Sequence, residues 1–136
     1  MIVTTYNGQK IDNPRHENVP ESTIKASCAV RVIESSWGTV AMFGMVEVMP
    51  GVAHIWGTVS EHAKGKGFSL AKAMKTAMAD MREEAKNHRI HRLQTYVDPN
   101  SSIDVRWIES LGFQVESVMH GGRPDGGDFL VYTTWR

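Results

Sequence analysis

The spacing of apolar positions changes several times along the chain, and each change predicts a different element. Three segments rich in apolar and β-branched residues come early in the chain, and short stretches with serine, glycine or proline separate them. Short apolar segments bounded by turn residues are typical of strands. They predict an antiparallel meander with strands at residues 26–33, 39–48 and 52–59.

From Phe68 onwards the apolar residues recur at spacings of three and four, with lysine and acidic residues between them. This period is that of an amphipathic helix with one face on the core. We expect the helix to run to about Lys86. The apolar residues at 93–97 then predict a short strand.

A second helix is predicted from its end signals as well as from its apolar stripe. Ser101 or Ser102 can cap its first turn, and Gly112 can adopt the left-handed conformation that often follows a helix. After this helix, residues 113–118 and 129–135 predict two more strands, joined by a glycine-rich loop.

The N-terminal segment has a different character, because residues 7–25 are polar and contain Asn7-Gly8, Asn13-Pro14 and Val19-Pro20. Such pairs favour turns. We predict loop here, with a short hairpin over Asn7-Gly8 as the alternative. The chain length is typical of one domain. We therefore expect a single domain over residues 1–136, in which residues 1–25 are a polar, loop-rich segment.

Composition narrows the possible partners. Fifteen basic residues balance fifteen acidic ones, so the overall field that attracts nucleic acid is missing and we expect no nucleic-acid partner. The lone Cys28 cannot form an intramolecular disulfide, which suits a cytoplasmic protein. No apolar run approaches the ~20 residues of a membrane helix, so we expect no membrane association. The histidines lack metal-ligand spacing, so we expect no metal.

A turn that carries glycine and lysine, Lys64-Gly65-Lys66-Gly67-Phe68-Ser69, lies between the strand that ends at Val59 and the first long helix. Glycines let the backbone approach an anion closely, and the first amides of the helix are unpaired donors. The helix dipole contributes only ~0.3–1 kcal/mol, so the amides and Lys64 or Lys66 would supply most of the affinity. The alternative is an ordinary flexible connector, because a G-x-G pattern alone is a weak signal.

This turn resembles the Arg/Gln-x-x-Gly-x-Gly/Ala motif of the GNAT acyltransferases, with Lys64 in place of Arg/Gln and Ser69 in place of the last Gly/Ala. A second stretch resembles the same family, in which an Asn opens a helix that ends near an aromatic residue and Gly-Phe. Here these are Asn100, Trp107 and Gly112-Phe113. The resemblance covers about residues 26–135. It implies an α/β (α+β) fold, the GNAT or acyl-CoA N-acyltransferase fold, with a mixed, mostly antiparallel sheet flanked by helices.

The resemblance also implies a function. A protein of this kind would bind acetyl-CoA as a co-substrate and acetylate a primary amine of a small molecule or a protein. Val59 and the turn amides would hold the pantetheine and the pyrophosphate, Asn100 would contact the pantetheine arm, and Trp107 would form part of the wall. The cofactor-binding residues implied are Val59, Lys64, Gly65, Lys66, Gly67, Phe68, Ser69, Asn100 and Trp107.

Acetyl transfer needs a base for the acceptor amine and an acid for the departing thiolate. His54 is our candidate base, because an ordinary histidine pKa near 6.5 suits the task. Its alternative is a surface-facing strand histidine, and Glu47 is a second candidate. Many family members use a tyrosine as the acid where this chain has Trp107, and losing such an acid costs ~10²–10⁴-fold in rate. Tyr96 is the candidate replacement, with a core or edge tyrosine as its alternative.

A looser resemblance is to a small GNAT-like internal protein of short-tailed bacteriophages, which shares the short N-terminal region and a non-tyrosine aromatic in the second motif. It implies a catalytically inactive protein with a structural or assembly role, with protein partners in a phage particle, located in the host cytoplasm or the virion. A sensor that binds CoA without turnover is a third possibility.

Overall fold

The computed structural model describes residues 1–12, 14–15, 19–63 and 67–135. Within these residues, seven strands form one sheet in the spatial order β1-β2-β3-β4-β5-β7-β6. The strands are β1 (Ile2–Thr5), β2 (Ala29–Ser35), β3 (Gly38–Met49), β4 (Val52–Val59), β5 (Arg92–Val97), β6 (Gln114–Met119) and β7 (Phe129–Trp135). The helices are α1 (Glu21–Ala26), α2 (Gly67–Asn87) and α3 (Ser102–Ser110), with a 3-10 turn at Glu61–Ala63.

The sheet is mixed and mostly antiparallel, as the sequence predicts. Strands β2, β3 and β4 form the expected meander. The pairing of β4 with β5 is parallel, while β5, β7 and β6 are antiparallel again. The parallel ladder is short, since it joins Val52, Ala53 and His54 to residues 92–94 and goes no further.

The predicted loop over residues 7–25 is wrong in part, because α1 begins at Glu21 inside it. Pro20 precedes the first turn with φ −57°, the value that a proline ring fixes, so the chain is already set to enter a helix. Glu21 in the first turn and Lys25 in the last also complement the helix dipole. The first predicted strand accordingly starts later, at Ala29. The alternative hairpin over Asn7-Gly8 is also wrong, because β1 pairs with β2 instead.

Two hydrophobic clusters lie on opposite faces of the sheet, because neighbouring strand residues such as Val32 and Ile33 point in opposite directions. The larger cluster packs strand residues against the buried face of α2 and against residues of α3. The smaller one gathers Ile11, Val32 and Met42, with Ile24 of α1 packed against it. Each fully buried large apolar side chain contributes roughly 1.5–3 kcal/mol, so α2 is the helix that anchors the fold.

Two aromatic rings lie over glycines across the β3–β4 ladder. Gly44 is paired with Trp56, and a Cβ at Gly44 would overlap the indole ring. Phe43 is paired with Gly57, where a Cβ would lie 2.6 Å from the phenyl ring. The Trp56 indole N–H also donates to Ser27 Oγ at 2.8 Å. These contacts fix the positions of two rings that line the cavity described next.

Candidate functional site

A cavity of about 270 Å³ opens where β4 and β5 stop pairing. The ladder ends at His54 opposite Gln94, although both strands continue, to Val59 and Val97. Residues from the far halves of both strands line the space between them, and α2 and α3 add apolar side chains. The lining from these four elements includes Ile55, Trp56, Gly57, Val59, Met74, Met78, Thr95, Tyr96, Val97, Trp107 and Ile108.

One wall of the cavity is a strand edge. Ser60 donates its N–H to the Val40 carbonyl at 2.8 Å, so the residue at position 60 faces β3 with its backbone. Because backbone groups alternate in direction along an antiparallel strand, Val59, Gly57 and Ile55 turn their N–H and C=O groups towards the cavity. This edge offers a ligand the same row of donors and acceptors that a further strand would use.

The N-terminal segment reaches this edge. The backbone N–H of Arg15 donates to the Val59 carbonyl at 2.8 Å, and Arg15 is one of the residues that line the cavity. Its guanidinium lies 3.7 Å from a Glu61 carboxylate oxygen and 3.4 Å from Asp104 Oδ1. Sequence reasoning missed Arg15, because nothing in its polar neighbourhood indicates which distant strand it contacts.

Asp12 fastens the same segment to the turn after β4. The Ser60 hydroxyl donates to the Asp12 carbonyl at 2.7 Å, and Ser60 is only 1% exposed. His62 Nε2 lies 3.3 Å from Asp12 Oδ2. The segment therefore lies across the end of β4.

The predicted cofactor residues lie in different parts of the structure. Val59 and Trp107 line the cavity. Gly67 opens α2, and a Cβ there would meet no described residue within 4 Å. Phe68 is 88% exposed and, with Ser69, borders a separate cavity next to β1. Lys64, Gly65 and Lys66 lie outside the described residues, as does Asn13 of the predicted turn.

Asn100 lies in the exposed turn that follows β5 and is not one of the lining residues. Its backbone N–H donates to Asp98 Oδ1 at 2.9 Å. Asp98 does line the cavity, and Arg123 donates to the same oxygen at 2.8 Å. Ser101 caps α3, as one of the two predicted caps, by accepting from the Asp104 N–H at 3.4 Å. The loop with the predicted Asn is thus anchored beside the cavity by Asp98.

The structure brings the two candidate catalytic residues together. Tyr96 lines the cavity, and its ring centroid lies 4.8 Å from that of His54 and 5.9 Å from that of Phe129. His54 lies beside Tyr96 and outside the cavity lining. Glu47, the second candidate base, is exposed and pairs with Ala53, so it points to the sheet face opposite to His54.

Burial lowers the pKa of the His54 imidazole below its ordinary value of 6.5. The ring is therefore neutral at pH 7, which is the state that can accept a proton. A histidine with a lowered pKa in the folded state binds its proton more tightly when the chain is unfolded. It therefore destabilises the fold as the pH falls through 6.5.

We expect this effect to appear in the unfolding free energy. The wild type should lose stability between about pH 7 and pH 5, and His54→Gln should lose measurably less, because it lacks the buried imidazole. Urea unfolding of both proteins across this range gives the difference directly, and His91→Gln, which replaces an exposed histidine, is the control. Identical pH slopes for His54→Gln and the wild type would show that His54 protonates freely in the folded protein.

In the part of the chain that the structure describes, no group of three or more His, Cys, Asp or Glu side chains could hold a metal ion. Of the described helices, none has the length and apolar character needed to cross a membrane.

Comparison with known proteins gives matches in structure but none in sequence. No protein-family model matches the chain, and no curated protein matches it in sequence. Solved structures do match. One is an IAA acetyltransferase from Bacillus cereus, with a TM-score of 0.67 and 16% identity, covering 86% of this chain and 85% of that chain. Another is an acetyltransferase from Bacillus subtilis in complex with CoA, with a TM-score of 0.66 and 14% identity, covering 85% and 81%.

A ribosomal-protein-alanine N-acetyltransferase from Brucella melitensis also matches, with a TM-score of 0.64 and 20% identity, covering 79% of this chain and 68% of that chain. These proteins share the GNAT fold. The chain therefore has the GNAT fold, and the fold implied by the sequence resemblance is confirmed.

Proposed function

We propose that this chain, which has the GNAT fold, binds acetyl-CoA and transfers the acetyl group to a primary amine of a small molecule or a protein. The observation that carries the proposal is the cavity between the diverging halves of β4 and β5, with the backbone of β4 turned into it. A sheet that parts in its centre exposes backbone groups that would otherwise pair, so the opening suits a ligand that can pair in their place.

The residues that surround the cavity fit the cofactor. The amide groups of pantetheine can pair with the backbone at Ile55, Gly57 and Val59 as an added strand would. The diphosphate would lie at the start of α2, where the first amides have no partner within the helix and Gly67 leaves open space. Acetyl-CoA supplies an activated acetyl thioester. One structural neighbour is titled as a complex with CoA, which supports this assignment.

We assign proton transfer to His54 and Tyr96, which the parallel pairing of β4 with β5 brings together. Tyr96 lines the cavity, so its hydroxyl can give a proton to the departing thiolate sulfur. Neutral His54, whose ring is next to that of Tyr96 but outside the cavity lining, would accept the proton that the amine nitrogen loses through an intervening water. Trp107 also lines the cavity, but its indole N–H is too weak an acid for this role. Tyr96 would thus take over the role that a tyrosine has in many GNAT enzymes, at the place where this chain has Trp107.

The proposal is tested with the purified protein in two steps. Calorimetry with acetyl-CoA measures binding, and a thiol-release assay with a panel of small amines and amine-bearing peptides measures transfer. We expect saturable binding, together with thiol release that depends on one class of amine. Binding without release from any amine would favour a sensor of CoA, and an absence of binding would contradict the proposal.

A second candidate is a catalytically inactive protein of the same fold with a structural or assembly role in a phage particle. Two observations favour it: Trp107 stands where an acid is usual, and the Arg15 N–H already pairs with the Val59 carbonyl. The partner in that case is a protein of the particle. This candidate stays a prediction, and failure to bind acetyl-CoA would leave it standing.

A further inference from the structure

We propose that Arg15 is a displaceable latch on the cofactor cavity, so that acetyl-CoA binds only when Arg15 leaves the edge of β4. The inference rests on the proposed function, because the latch competes with the cofactor for the same backbone.

The first step of the argument is where the Arg15 backbone lies. Its N–H donates to Val59, and Pro14 forms an antiparallel bridge with Ser60. Paired backbones run about 4.8 Å apart, so Pro14 and Arg15 occupy the space beside the end of β4 that an added strand would fill. Pantetheine cannot pair with Val59 while they remain there.

The second step concerns the side chain. The Arg15 guanidinium approaches Glu61, in the turn after β4, and Asp104, in the first turn of α3. Because β4 and α3 stand on different sides of the cavity, the arginine connects its two walls. Entry along β4 towards Tyr96 therefore requires these ion pairs to separate.

The third step is that the ion pairs of the Arg15 side chain are long. Its two ion pairs measure 3.4 and 3.7 Å, and its side chain and that of Asp104 are 23% and 29% exposed. By contrast, Arg123 approaches Asp98 to 2.8 Å. Long, partly exposed ion pairs contribute little. The bond from the buried Ser60 hydroxyl to the Asp12 carbonyl does not involve Arg15, so Asp12 can stay bound to Ser60 when Arg15 leaves β4.

The test compares acetyl-CoA affinity by calorimetry for the wild type, Arg15→Ala and Arg106→Ala. Arg106 is an exposed arginine of α3 outside the cavity lining, so its replacement removes the same charge without touching the latch. We expect Arg15→Ala to bind about three- to tenfold more tightly than Arg106→Ala, since the ligand no longer has to break the ion pairs. Asp104→Asn, which weakens one of these pairs, serves as the second variant if Arg15→Ala unfolds.

Amide hydrogen exchange gives a separate readout. Saturating acetyl-CoA should slow exchange at residues 55–59 and, unusually for a ligand, speed exchange at Arg15. Slower exchange at 55–59 with no change at Arg15, or affinity of Arg15→Ala equal to or weaker than that of Arg106→Ala, would overturn the latch and leave the proposed function standing. Absence of any change at 55–59 in both the wild type and Arg15→Ala would overturn the proposed function and the latch with it.

Discussion

Replacing Gly67 by tryptophan should weaken acetyl-CoA binding at least about a hundredfold and leave the protein folded. A Cβ at this position would have no neighbour within 4 Å among the described residues. With a diphosphate at the start of α2, the indole would occupy the space of the phosphates. Charge-assisted hydrogen bonds to phosphate are worth about 1.5–3 kcal/mol each, so losing two of them exceeds a hundredfold.

The matched control for Gly67→Trp is Lys75→Trp, which places the same ring on the exposed face of α2 outside the described cavities. Calorimetry gives the affinities, and thermal unfolding shows whether each variant is folded. Undiminished binding by a folded Gly67→Trp would place the diphosphate elsewhere, even if the cavity between β4 and β5 still holds the rest of the cofactor.

Replacing Tyr96 by phenylalanine should lower the rate of acetyl transfer by about 10²–10⁴-fold at unchanged acetyl-CoA affinity, because it removes a positioned acid from the leaving thiolate. The substitution deletes only the hydroxyl. The ring that contacts His54 and Phe129 stays, so the shape of the cavity is preserved. The measurement is kcat from thiol release with the amine that the panel identifies.

Tyr6→Phe is the control for this substitution, because it deletes a hydroxyl from a tyrosine that packs against the smaller cluster. A Tyr96→Phe rate close to that of Tyr6→Phe would remove Tyr96 from the chemistry. In that case the thiolate takes its proton from water or from another group. An accompanying loss of affinity would instead indicate that the hydroxyl helps to hold the cofactor.

The spacing of apolar residues predicts a helix or strand when that element alone carries a regular apolar pattern. Strand β4 and helix α2 are of this kind, because each carries its own regular apolar pattern that packs on the larger cluster. Strand β1 and helix α1 are not. Four residues of β1 become a strand by pairing with β2, and the six residues of α1 are too few for a helical stripe.

The candidate site also contains residues that the sequence indicates and contacts that it does not. Motif resemblance indicated Val59 and Trp107, and both line the cavity. The contact between His54 and Tyr96 follows from the parallel register of β4 and β5, and no local spacing carries that register. Arg15 is harder still, because it reaches the cavity from a polar segment whose path depends on bonds to Ser60 and Val59.

The short parallel ladder between β4 and β5 also affects the order in which the sheet is expected to form. Strands β2, β3 and β4 close through tight turns, so little chain entropy is lost when they meet. Strand β5 pairs with β4 only after the chain has crossed over through the 21 residues of α2. Closing this long connection costs more chain entropy and forms only three residue pairs between the strands. We therefore expect the meander and α2 to form the nucleus on which β5, β7 and β6 dock later, so that the short β4–β5 ladder beside the cavity is completed last.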